Sequence, residues 1–174
     1  GVYGIDLWKS DGTTAGTVML KDINVCSAGS FDIYFFFIYT INGTLYFAAN
    51  DSINGNELLK TDGTTVGTIL VKDINSGFGN GNPSQMINYN GTLIFAASNG
   101  VDSTELWKSD GTTAGTTMVK DINPGSGGSQ IDNPDTVNGI LYFRANNGTT
   151  GDELWKSDAT AAGTVLVADI NQGI

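Results

Sequence analysis

The sequence has no histidine, one cysteine, three prolines, and only eight lysines and arginines against eighteen aspartates and glutamates. Each shortage excludes something. Cys26 has no partner for an internal disulfide, and without histidine the common zinc sites, Ser-His-Asp triads and Cys-His dyads cannot be built. The formal charge of −10 predicts an acidic surface that disfavours nucleic acid and anionic membranes as partners. No apolar run reaches the roughly 18 residues of a membrane span. The chain opens on Gly1-Val2-Tyr3, with neither an initiator Met nor a signal peptide, and reads as a mature or excerpted chain. Its 174 residues suit one domain that buries about two-thirds of its unfolded surface, so disulfides are not needed for folding.

What is abundant is turn chemistry and repetition. The 24 glycines are about twice the usual share near 7%, and no stretch has helical amphipathic spacing. One phrase recurs as DLWKSDGT from Asp6, ELLKTDGT from Glu57, ELWKSDGT from Glu105 and ELWKSDAT from Glu153. Each is followed by a second: AGTVMLKDIN, VGTILVKDIN, AGTTMVKDIN or AGTVLVADIN. A third appears as NGTLYFAAN, NGTLIFAAS and NGILYFRAN, beginning at Asn42, Asn90 and Asn138. The aspartates Asp11, Asp62, Asp110 and Asp158 are spaced by 51, 48 and 48 residues, a period of the kind that tandem β arrays use. The extra three residues fall in CSAGSFDIYFFFIYTI, between Asn24 and Asn42.

Each full unit reads as four strands. In one copy these are Gln85 to Tyr89, Leu93 to Ala97, Glu105 to Ser109 and Thr117 to Ile122, with Asn90-Gly91 as a hairpin turn. The loop from Asp110 to Gly115 joins the last two, its carboxylate accepting bonds from loop amides. Ala159 replaces the loop glycine in the last copy, so either the turn needs no positive φ there or that copy is strained. Strand cores such as Leu45-Tyr46-Phe47, Ile69-Leu70-Val71 and Val165-Leu166-Val167 are continuously apolar, which requires cover on both faces. The expected fold is therefore all-β: tandem four-stranded antiparallel blades, propeller-like, about three and a half repeats of 48–51 residues in a single array over 1–174. Its units span approximately 1–25 (partial), 26–75, 76–123 and 124–174. An incomplete ring does not close.

The motifs ELW, DGT, the following Gly-Thr and KDI resemble the family of secreted bacterial repeat proteins named for the ELWxxDGT motif, also described as hyalin-like. The resemblance covers essentially the whole chain. It implies a multi-repeat extracellular or cell-surface propeller without an assigned activity. Three departures stand out: Leu59 where Trp8, Trp107 and Trp155 stand, Ala168 where Lys21, Lys72 and Lys120 stand, and an aromatic first connection.

The recurring Trp8, Trp107 and Trp155 read as core between units, with locally bonded indole N–H groups, in preference to platforms for sugar stacking; Leu59 favours core. Asp11, Asp62, Asp110 and Asp158 read as turn caps. Charges repeated four times in equivalent settings are not a catalytic pair, so no enzyme and no cofactor are expected, calcium excepted. For calcium, Asp51, Asn54, Asn56 and Glu57 place oxygens around Gly55, as hard cations require, although the twelve-residue loop spacing is absent and the same residues serve turns. Asn42, Asn50, Asn90 and Asn147 begin Asn-x-Ser/Thr sequons. Phe31, Tyr34, Phe35, Phe36, Phe37 and Tyr39 give the first connection more apolar surface than one strand buries, the mark of a subunit contact. The expectation is a non-enzymatic structural repeat protein that self-associates into an oligomer or fibre. The alternative is a glycan- or receptor-binding module cut from a longer propeller.

Overall fold

The computed structural model describes residues 6–24, 38–170 and Gln172. Among them there is no helix, and fourteen strands form four separate antiparallel sheets. Unit 1 contributes β1 (Leu7–Lys9) and β2 (Val18–Lys21). Unit 2 is β3 (Ile38–Ile41), β4 (Thr44–Asn50), β5 (Asn56–Thr61) and β6 (Ile69–Lys72). Unit 3 is β7 (Ser84–Tyr89), β8 (Thr92–Ser98), β9 (Thr104–Ser109) and β10 (Thr117–Lys120). Unit 4 is β11 (Asp132–Val137), β12 (Ile140–Asn146), β13 (Asp152–Ser157) and β14 (Val165–Ala168). Each four-stranded sheet is a simple meander in chain order, and each falls inside one of the spans expected from the repeat.

Local chemistry accounts for these strands. The turns Asn42-Gly43, Asn90-Gly91 and Asn138-Gly139 all have positive φ at both residues, the two-residue geometry whose twist matches antiparallel strands. The fourth strand is shorter than its apolar pattern suggests, ending at Lys120, because the next amides leave the ladder: Ile122 N–H turns to the Glu105 carboxylate at 2.7 Å. A bulge recurs where the third strand meets the fourth, at Leu58/Leu59, Leu154/Trp155 and their counterparts. It sets Leu20, Val71, Val119 and Val167 off the ladder, freeing their carbonyls for other partners.

The core lies between sheets. One cluster joins Tyr46, Leu58, Val71 and Ile74 of unit 2 to Met86, Leu93, Phe95 and Trp107 of unit 3. A second repeats it between Ile94, Leu106, Val119 and Ile122 of unit 3 and Leu141, Phe143 and Trp155 of unit 4. A third joins Leu7 and Ile23 of unit 1 to Phe47, Leu59 and Leu70 of unit 2. Every unit thus has a leading face, which meets the next unit in sequence, and a trailing face, which meets the one before. In β8 all five residues from Leu93 to Ala97 are buried, whereas in β12 burial alternates from Leu141 to Ala145. The contrast follows from position, since no sheet covers the leading face of unit 4 among the described residues. Val167 in β14 is exposed for the same reason, but the exposure of Val165 is not a consequence of position: Val18 and Ile69, the first residues of β2 and β6, are exposed as well, so the two-sided cover expected of these strands fails at their first residue.

Candidate functional site

The loop between third and fourth strands is the first built feature. In all four copies the aspartate Oδ1 accepts bonds from the N–H and Oγ1 of the threonine two residues on, as Asp110 does from Thr112 at 2.8 and 2.7 Å. The threonine oxygen then accepts the N–H of the following glycine, 2.9 Å for Gly115. These bonds, the side-chain one foremost, hold the carboxyls of Asp11, Asp62, Asp110 and Asp158 below the usual carboxylate range. The residue after each aspartate has positive φ throughout: 89° at Gly12, 86° at Gly63, 85° at Gly111 and 65° at Ala159. The turn does require that region, and Ala159 carries the strain.

The loop is also a joint. Lys9, Lys60 and Lys108 each extend from a third strand to the first loop carbonyl of the next unit, at Gly63 (3.1 Å), Gly111 (2.8 Å) and Ala159 (3.0 Å). Lys21, Lys72 and Lys120 reach the carbonyls of Thr68, Thr116 and Thr164 at 2.6, 2.8 and 2.7 Å. In return Thr65 and Thr113 donate to the bulge carbonyls of Leu20 and Val71, both at 2.8 Å. These six lysines are therefore cationic donors to backbone carbonyls of the next unit, and the charges of Lys60 and Lys108 add a minor lowering to the Asp110 and Asp158 carboxyls. Among the described residues the ion pairs are those of Arg144 with Asp132 and Asp152, at 3.1 and 3.3 Å.

A steric match accompanies these bonds. A Cβ placed on Gly111 would overlap the Tyr46 hydroxyl, whereas Gly63 faces open space. Tyr46 pairs with Lys60 and Ile94 with Lys108 in equivalent registers. Tyr46 thus stands over a glycine, and Ile94 faces the loop whose residue is Ala159, which packs against the Ile94 cluster. Gly111→Ala is expected to cost at least twice the roughly 1 kcal/mol of Gly63→Ala, since only the first adds a clash to the cost of a Cβ at positive φ. Equilibrium urea unfolding of the two variants measures the difference.

Trp107 and Trp155 lie on trailing faces at 6% and 5% exposure, while Trp8, which no sheet covers among the described residues, is 57% exposed. Burial removes Trp107 and Trp155 from any sugar. Their indole N–H groups have no hydrogen-bond partner among the described residues, unlike the local bonding expected, although the Lys120 ammonium sits 5.9 Å from the Trp155 ring centre. Leu59 at the same position is buried, with a cavity of about 90 Å³ lined also by Lys21, Ile23 and Leu70.

Of the residues proposed for calcium, Glu57, Asp51 and Asn54 have other partners, while Asn56 Oδ1 is buried without a hydrogen-bond partner among the described residues. Both Glu57 oxygens face backbone donors: Ile74 N at 2.8 Å, Asn75 N at 3.2 Å and Gly81 N at 2.7 Å. Burial nevertheless pushes its pKa up, to about 7. The glutamate thus ties the end of its own sheet to the segment entering the next. Glu105 does so through Ile122 N and Ser129 Oγ, and burial raises its pKa as well. Asp51 caps its turn by accepting from Ile53 N, Asn54 N and Asn54 Nδ2, and Asn56 Nδ2 donates to Asn82 Oδ1. No group of three or more acidic or cysteine side chains is arranged around one point among the described residues.

Of the remaining candidates, Phe31, Tyr34, Phe35, Phe36 and Phe37 lie outside the described residues. Tyr39 is in β3, half-buried against the core between units 2 and 3. Asn42 and Asn90 are exposed at hairpin tips. Asn50 and Asn147 are half-buried and cap turns, Asn147 Oδ1 accepting from the N–H and Oγ1 groups of Thr149 and Thr150. An open groove of about 560 Å³ between units 3 and 4 is lined by Asn123, Gln130, Asn146 and glycines. The unit-to-unit joint was not legible as a site, because its acceptors are backbone carbonyls, which no residue type announces. No protein-family model, no curated protein and no solved structure matches the chain.

Proposed function

We propose that the protein is a non-enzymatic structural repeat protein whose task is self-association, a subunit that adds to others through the faces of its sheets. The observation that carries this reading is the joint, reproduced three times with the same lysine-to-carbonyl bonds, and left open, among the described residues, at Trp8 and at the leading face of unit 4. Contact between β3 and β7 and between β7 and β11 supports a propeller-like arrangement with first strands nearest the axis. The two strands and three four-stranded sheets among the described residues would then lie along an arc, and a contact between arcs that does not close propagates into a filament. The extracellular or cell-surface setting rests on the resemblance of the ELW, DGT and KDI motifs. Sedimentation and negative-stain imaging over a concentration series test the proposal. Species growing with concentration are expected, and a monomer persisting at several hundred micromolar overturns it.

A further inference from the structure

We propose that the trailing face of unit 1 is a docking surface for the leading face of unit 4 in a second copy of this chain, using the contacts that join neighbouring units within it. The inference rests on the self-association reading and specifies its geometry. Among the described residues each half of the contact is present and uncovered. On the trailing side stand Trp8 at 57% exposure, the Gly12 carbonyl, and the Thr14 hydroxyl, which occupies the position from which Thr65 and Thr113 donate across a joint. On the leading side Leu154 is 38% exposed, where its equivalents Leu58 and Leu106 are 0% and 1% exposed, and Val167 and Ile170 are exposed where Val71 and Ile74 are buried.

Superposing the internal joint on these two faces pairs Lys156 with the Gly12 carbonyl and Thr14 with the bulge carbonyl of Val167. It also satisfies the steric match. Tyr142, in register with Lys156, occupies the position of Tyr46 and therefore calls for a glycine opposite. Gly12 has nothing within 4 Å of a Cβ position. The tyrosine-glycine combination thus recurs between the two ends, and the isoleucine-alanine one does not. Two departures make this joint weaker than the internal ones. Ala168 supplies no lysine for the Thr17 carbonyl. Arg144, fixed to Asp132 and Asp152, stands where buried Ala48 and Ala96 stand in units 2 and 3. A reversible contact follows, strengthened by salt because two chains of charge −10 repel.

The test uses two variants, each blocked at one end, both at exposed positions. Trp8→Lys closes the trailing face and Leu154→Lys the leading face. Sedimentation velocity should find each variant monomeric alone and an equimolar mixture forming a species of two chains, because each retains the face the other needs. In the otherwise wild-type chain, Arg144→Ala should tighten association at least tenfold. Far-UV circular dichroism of each variant confirms folding, and Lys156→Glu provides a second leading-face block. If wild type associates but the blocked variants associate equally well, or their mixture gains nothing over either alone, the proposed faces are wrong while self-association stands. If wild type and Arg144→Ala are both monomeric at several hundred micromolar, both proposals fall.

Discussion

Glu57→Ala is expected to lower the unfolding free energy by about 4 kcal/mol, because a buried amide deprived of its acceptor costs about 1–3 kcal/mol and this carboxylate serves three. Ile74, Asn75 and Gly81 supply those amides, and Glu57 itself is fully buried. The loss should concentrate where unit 2 hands over to unit 3, since Ile74 and Gly81 lie either side of the connection. Hydrogen exchange at Ile74 and Gly81 should accelerate more than exchange within β8.

The same group gives a pH signature. In the unfolded chain Glu57 titrates near 4.5, while burial raises the folded value to about 7. The folded state therefore holds the proton more tightly, so this contribution to stability is complete below the unfolded value and is lost as pH rises through about 7. Glu105 acts in the same direction. The loop aspartates act oppositely: their lowered values stabilise above their ordinary 3.8 and cease to do so as pH falls. Stability should therefore peak in the mildly acidic range. Glu57→Gln, which keeps the shape but does not titrate, should flatten the decline between pH 5 and 8 in chemical denaturation. An unchanged slope would show that this carboxyl is not its source, and would point to relief of overall charge repulsion instead.

The Asn-Gly pairs located every described two-residue hairpin, and the period of 48 located the sheets, because both are properties of residue identity and spacing. Direction was hidden. Nothing in the string Leu58-Leu59-Lys60 says that Leu58 and Lys60 face the following sheet and Leu59 the preceding one; the bulge after Leu58 and the packing of neighbours decide it. The role of Glu57 as a tie between sheets was hidden for a related reason. Its oxygens are visible in the sequence, and the three amides converging on them are not. Ala159 was ambiguous on sequence alone, since only its φ of 65° in the folded loop separates a tolerant turn from a strained one. Arg144 carried a legible but unused signal. It breaks the Phe-Ala-Ala pattern of Phe47 and Phe95 by setting a charge where Ala48 and Ala96 are buried.

Gly67→Ala should be the most damaging small substitution in the DGT loop, at about 3 kcal/mol, because overpacking costs about 1–3 kcal/mol and the displaced carboxylate forfeits its hydrogen bonds as well. The backbone at Gly67 is not in the left-handed region, so φ strain is not the cause; a Cβ there would overlap the Asp62 carboxylate itself. To make room, Asp62 must release the Thr64 N–H and hydroxyl, and Thr64 in turn the Gly67 amide. The loop would lose its shape together with its acceptors. Its Gly63 and Thr68 carbonyls receive Lys9 and Lys21, so the damage should spread backward, with faster hydrogen exchange in β1 and β2 than in β9 and β10. A double-mutant cycle isolates the cause. In an Asp62→Ala background the carboxylate is already gone, and Gly67→Ala should then cost less than about 1 kcal/mol, the strong non-additivity expected of residues in direct contact. Equal costs in both backgrounds would mean that the glycine is needed for its own backbone freedom, and that the close approach of Asp62 does not explain why all four loops keep it.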